Sequence, residues 1–382
     1  MRSLPGTVLL LSILVCTAAS PPAPGQTQAP TPAPAATPVS TPAGKPWYEE
    51  IAVNGFLSIF YEYNTNHPPT GTNQYRVFDD VANSISVDAA ELVVQKPVTK
   101  PGDAGFRVDA VAGAVARVAS AAGLFYGQDF DLQQAFVSYL APVGSGLRFD
   151  FGKFVTHMGN EVIEGYDGWN DNATRSFVFG YAIPFTHTGL KASYTFSDEL
   201  AGMLQLCNGW DVAKDNNSGK SFGAQIVWTP ARAVAITGNY MVGPERADSN
   251  SDLRSVGNLV GQWKATILSV FTLELTYGSE PNAVTTGRTA TWSGIVGYAR
   301  FGLSDRFALI LRGEYFADPD GARTGVEQYL KEITLTPEWR ISSHFLVRAD
   351  LRVDWSNQNV FENRSGFTNT QPTLLVDAIY MF

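Results

Sequence analysis

Three features of the sequence predict an all-β fold, a transmembrane antiparallel up-and-down β-barrel. Apolar and polar residues alternate in segments of about ten residues, the length a tilted strand needs to cross a bilayer. Short links alternate with long polar ones along the chain, so that one rim carries turns and the other carries loops. The composition is that of a barrel rather than a helical bundle: 35 of the 382 residues are glycine, 12% are aromatic and only 16% are charged. Mean hydropathy is −0.05. A bundle of membrane helices needs several runs of about 20 apolar residues, and the one apolar stretch here is short and lies at the very start. The net charge of −9 argues against a nucleic-acid surface.

The chain opens with Arg2 in a basic start and an apolar stretch from Leu9 to Val15, which is too short to span a bilayer. Residues 1–19 therefore read as a signal peptide, with Thr17 and Ala19 as the small residues before the cut. A lipid anchor on Cys16 is disfavoured by the bulky Val15 before it. With Cys16 removed, Cys207 stands alone, which leaves no intrachain disulfide and no cysteine-based zinc site. Residues 20–46 form a Pro/Ala/Thr-rich flexible linker, nine of the 26 residues from Pro21 to Pro46 being proline. Residues 47–382 are the barrel.

Strands are predicted near 51–62, 85–95, 104–117, 131–140, 146–154, 187–196, 199–209, 220–229, 232–241, 254–265, 268–278, 290–301, 305–316, 328–339, 343–355 and 371–382. These make about 16 strands, or about 14 or 18 if a hairpin is miscounted. The clearest is 343–355, where Val347, Ala349, Leu351 and Val353 take one face and Arg348, Asp350, Arg352 and Asp354 the other. Four charges on one face suit a wet lumen and not a packed apolar core. The same split sets Phe307, Leu309 and Leu311 against Arg306, Arg312 and Glu314, and it turns Glu274 inward from 268–278. These eight charged residues are the predicted lumen lining. The stretch from Ala110 to Ala122 is Ala-rich and also reads as a helix. Links such as Ser197-Asp198 and Leu303-Ser304 are short, whereas 210–219, 242–253, 279–289, 317–327 and 356–370 are long. That rhythm is the one of bacterial outer-membrane barrels, with short periplasmic turns and long extracellular loops.

One connection breaks the rhythm. Residues 155–186 hold no clear strand but do hold Tyr166, Trp169, Phe177, Phe179, Tyr181 and Phe185, so the segment must pack on something. It is predicted to fold into the lumen as a pore constriction, with Glu161, Glu164, Asp167 and Asp171 supplying acceptors and Arg175 a cation. Four carboxylates against Arg175 and Lys153 predict a modest cation preference, opposed by the inward arginines of the wall.

The last strand sets Leu374, Val376, Ala378, Tyr380 and Phe382 on one face. It resembles the closing strand of Gram-negative outer-membrane proteins, and the resemblance implies an assembly signal at Tyr380 and Phe382 that the barrel-assembly machinery reads. Further motifs resemble the β-barrel porin family of the OmpL-like, porin-2 type: Phe151 to Phe154, Met158 to Glu161, Asn172 to Ser176, Ile183 to Gly189, Cys207 to Asp211, Asp215 to Asn217 and Lys220. The resemblance spans residues 48 to 382 and implies an outer-membrane channel with no established catalytic residues.

The function expected is a porin for passive diffusion of small hydrophilic solutes, with outer-membrane lipid and the assembly machinery as partners, a homotrimer as the oligomer to consider, and no nucleic acid, cofactor or metal. The alternatives are a non-conducting barrel serving as surface anchor or adhesin, and a hydrolase using the loop histidines. His157 and His187 bracket the long segment and come within reach of Glu161, Glu164 and Ser176 if it folds back. No His-Glu-x-x-His motif supports catalysis.

Overall fold

The computed structural model describes residues 46–285 and 287–382. The signal peptide (1–19) and all of the linker except Pro46 lie outside the described residues. Sixteen strands close into one antiparallel barrel. They are β1 (Ala52–Asn64), β2 (Ser84–Lys96), β3 (Ala104–Ala112), β4 (Phe130–Ala141), β5 (Leu147–Val155), β6 (Thr186–Ser197), β7 (Leu200–Cys207) and β8 (Ser221–Ala231). There follow β9 (Val234–Pro244), β10 (Leu253–Lys264), β11 (Ser269–Pro281), β12 (Thr289–Gly302), β13 (Phe307–Asp318), β14 (Gln328–Arg340) and β15 (Phe345–Ser356). A two-stranded hairpin, β16 (Phe361–Asn363) with β17 (Gly366–Thr368), stands apart in the last long loop, a feature without a sequence signal of its own. The closing strand is β18 (Thr370–Met381), which pairs with β15 on one side and with β1 on the other.

Alternation makes the wall two-faced. On β15, Arg348, Asp350, Arg352 and Asp354 are buried inside the barrel, and Leu351 is exposed on its outer surface. Outward leucines, isoleucines and aromatics on every barrel strand leave an apolar exterior, as a bilayer demands.

The structure corrects two sequence readings. The strand expected over 104–117 stops at Ala112, and a short helix, α1 (Ala114–Ala119), replaces its end. Gly113 makes the break with φ +118°, and a Cβ there would stand 2.6 Å from the Asp88 carbonyl oxygen, so only glycine fits. Arg306 does not line the lumen. It is exposed in the turn between β12 and β13, where the Ser304 N–H bonds the Phe307 carbonyl and the strand begins only at Phe307.

Segments from three long loops turn into the barrel. Phe78, from the loop after β1, stacks on Phe179 with centroids 5.9 Å apart and meets Phe185 edge-on at 5.5 Å. Val115, Ala116 and Ala119 of α1 join the same buried cluster, together with Met158, Val178 and the inward Trp292 and Phe316 of the wall. The apolar core of this protein therefore lies inside the barrel, toward the long-loop rim.

Candidate functional site: a braced segment inside the barrel

The segment from 156 to 185 is held by the charges that alternation turns inward. Glu161 Oε1 receives Arg312 Nη1 at 2.7 Å, while its Oε2 receives the Ser176 N–H at 2.8 Å and the Ser176 hydroxyl at 2.5 Å. Arg312 also donates to Glu332 (2.7 Å) and to the Thr174 carbonyl (2.5 Å). Glu164 takes two bonds from Arg348, at 2.9 and 3.1 Å, and lies 3.4 Å from Arg175. Burial works against the charge of Glu164, but Arg175 and Arg348 outweigh it and hold the carboxyl below its ordinary range. Asp171 pairs with Arg300 at 2.6 Å, and Asp167 pairs with Arg107 on the opposite side of the barrel. Arg175 reaches Asp88 at 3.3 Å and covers the face of Phe78 at 5.0 Å.

Wall carboxylates complete the brace by accepting from the segment's backbone. Glu314 receives the N–H groups of Phe177 (2.7 Å) and Val178 (2.5 Å). Asp350 receives those of Ala173 (3.2 Å) and Thr174 (2.8 Å), and Glu274 receives that of Asn160 at 3.2 Å. Arg352 donates to the Arg175 carbonyl at 2.6 Å and to Asp354 at 2.7 Å, and Asp354 accepts from Arg76 at 2.8 Å. Irregular backbone inside a barrel is tolerable only when its polar groups are met in this way.

The arrangement differs from the expectation of free constriction charges. Glu161 and Glu164 are buried within ion pairs, and Arg312, Arg348, Arg352, Asp350 and Asp354 are sealed beneath the segment rather than bathed by water, with Arg312 0% exposed. Of the four carboxylates only Asp167 keeps a largely open side chain, at 52%. Opposite charges on wall and segment attract, and closure of the barrel brings them within bonding distance. Each of the four segment carboxylates is paired with an arginine, so none stands as an unpaired charge toward the lumen. Sequence reading missed Arg107 and Arg300 as anchors. Both are inward residues of alternating strands, so the period-two pattern held the signal.

The histidines do not assemble a catalytic group. Their rings stand 5.9 Å apart, and His187 Nε2 meets only the Thr156 hydroxyl at 3.2 Å, while Ser176 and Glu161 bond each other beside Arg312. Burial, with His187 alongside, lowers His157 to about 3 and keeps it neutral. Among the described residues no group of three or more His, Cys, Asp and Glu side chains is placed to hold a metal ion.

A family model described as "Putative beta-barrel porin-2, OmpL-like" matches residues 50–382. No curated protein matches the chain in sequence. Among solved structures, the outer membrane channel DcaP of Acinetobacter baumannii superposes with TM-score 0.61 at 9% identity, over 87% of this chain and 97% of that one. An anion-selective porin from Comamonas acidovorans gives 0.59 at 8% identity, over 87% and 99%. OmpT of Vibrio cholerae in a trimer form gives 0.55 at 12% identity, over 87% and 99%. At these identities the likeness is one of fold.

Proposed function

Since the chain belongs to the OmpL-like, porin-2 family of outer-membrane β-barrels, we propose that it is a passive diffusion channel for small hydrophilic solutes, its lumen narrowed by the segment between β5 and β6. The observation that carries this reading is the brace itself: a segment crossing the lumen from Arg312 and Arg348 to Arg107, with a polar inner wall beside it. A segment so placed sets the size of what can pass. Export through a signal peptide, delivery by the barrel-assembly machinery through Tyr380 and Phe382, and assembly as a homotrimer belong to the same reading.

The sealing of the inner wall on β13 to β15 favours a second reading, a plugged barrel that anchors its surface loops. Conductance separates the two. Protein reconstituted in a planar bilayer should give discrete ion-conducting steps, and deletion of 160–172 should enlarge them. A folded barrel that conducts only after the deletion would be the plugged anchor.

A further inference from the structure

The outer face of the wall breaks its own rule at one point. Strand register carried round from the outward Leu351 fixes which residues face out on β6 to β15, β18 and β1. All of these positions are uncharged except Lys331 on β14, whose side chain is exposed. Its ammonium makes no ion pair and no hydrogen bond among the described residues. The carboxylates nearest in sequence do not answer it. Glu332 turns into the barrel onto Arg312, and Glu327 lies in the loop before the strand without bonding the lysine.

Depth makes the placement costly. The outward residues of β14 run Tyr329, Lys331, Ile333, Leu335, Pro337 and Trp339 from the long-loop rim to the short-turn rim. Ten residues of a strand tilted by about 40° cover about 25 Å, the height of the apolar band, so Tyr329 and Trp339 mark its two aromatic girdles. Lys331 stands one outward position inside the girdle on the long-loop side, where an ammonium is stabilised by reaching water or a counter-charge in the headgroups.

The surroundings suit a headgroup. Register sets Lys331 directly between Tyr315 on β13 and Trp355 on β15, and its Nζ stands 5.8 Å from the centre of the Tyr315 ring. Tyr315 stacks on Tyr329 at 6.0 Å. The hydroxyls of both tyrosines and the indole N–H of Trp355 bond nothing among the described residues, and all three rings are exposed. Ammonium, phenols and indole therefore gather donors round one spot. Toward the bilayer centre, the next outward residue on β13 is Gly313, paired with the outward Gly297 of β12. A Cβ on Gly297 would meet nothing within 4 Å, and one on Gly313 only a carbonyl oxygen at 4.0 Å, so the wall dips there between the exposed Leu311 and Ile333. A charged end above and an apolar hollow below match the two halves of one lipid molecule.

We propose that Lys331, with Tyr315, Tyr329 and Trp355, is a binding site on the outer wall for the phosphate group of a membrane lipid in the leaflet on the long-loop side, its chain lying in the hollow at Gly297 and Gly313. The inference needs the barrel to sit in a membrane and does not depend on whether its lumen conducts. It is tested by native mass spectrometry of the purified, folded protein in detergent, titrated with dioleoyl phosphatidate or with dioleoylglycerol, which differ only in the phosphate. Wild type should hold phosphatidate several-fold more tightly than dioleoylglycerol. Lys331→Gln, checked for its fold by heat-modifiable migration, should lose that preference, and Lys331→Arg should keep it. Equal binding of the two lipids by wild type overturns the site without recourse to any variant. A folded Lys331→Gln protein that still prefers phosphatidate also overturns it, and leaves Lys331 a side chain that merely reaches for water.

Discussion

Arg312 is buried in a wall strand, yet its charge is compensated by Glu161 and Glu332, each at 2.7 Å. Removing one partner of such a pair costs about 3–5 kcal/mol, because the remaining charge stays buried. The outer face obeys the opposite rule. Leu351 is outward and exposed on β15, so Leu351→Arg should destabilise the barrel by about 2–4 kcal/mol if the position lies near the bilayer midplane. Urea titration in lipid vesicles measures the loss, and a value near zero would place Leu351 away from lipid. A third residue titrates. Asp211, on the loop after β7, accepts the N–H groups of Phe185 at 2.6 Å and Thr186 at 2.9 Å, and burial pushes its carboxyl from 3.8 up to about 6. A raised folded value means that its contribution is complete below pH 3.8 and is lost as the pH climbs through about 6. Amide exchange at Phe185 and Thr186 should therefore accelerate between about pH 4 and about pH 7 beyond the intrinsic rise. Asp211→Asn should abolish the excess, and an excess that persists in the variant would assign it to another group.

On the proposed reading the segment between β5 and β6 narrows the lumen, and its sealing effect can be measured. Thr334 faces inward from β14, fully buried beneath the segment, with its hydroxyl 2.5 Å from Glu332. A cysteine there is close in size. Thr334→Cys should resist a water-soluble thiol reagent in the intact barrel and react once 160–172 are deleted. Labelling at the same rate in both would mean that the segment does not cover this wall. The alternation in 343–355 made the two faces of β15 legible, because a period of two is local and survives without knowledge of neighbours. The strand count was legible for the same reason. The pairing of Glu161 with Arg312 was not, since 151 residues separate them and only closure of the barrel brings them together. The charged residues could be read as inward, but whether they met water or the segment depended on where a loop without periodicity would lie. The break at Gly113 was half legible: an Ala-rich run suits a helix or a packed strand, and the backbone geometry of one glycine decides between them.

At the scale of the whole molecule, the barrel exists only if its first and last strands meet. An even number of strands brings both ends to the short-turn rim, and β1 pairs with β18 from Phe56 opposite Met381 to Asn64 opposite Thr373. The seam continues one step further, where the Gly55 N–H bonds the Phe382 carbonyl at 2.9 Å and the Phe382 N–H bonds the Gly55 carbonyl at 3.1 Å. The Phe382 ring lies over the glycine, so that a Cβ at position 55 would stand 2.3 Å from the ring's Cζ. Glycine and terminal aromatic thus fit as a pair, the ring covering backbone that glycine leaves bare. Deleting Phe382 removes both backbone bonds and the cover, and Gly55→Val drives a branched side chain into the ring. Both variants should lower the yield of heat-modifiable, folded barrel, whereas Phe382→Tyr, which keeps the ring and the bonds, should assemble normally. The combination separates closure from recognition. If the seam is only structural, Gly55→Val with Phe382 deleted should assemble no worse than the deletion alone, because the clash is gone. If Phe382 is also read by the assembly machinery, the deletion should impair assembly in cells far more than refolding of the purified chain in detergent. Equal yields for wild type and the deletion in both settings would leave the terminal phenylalanine without either role.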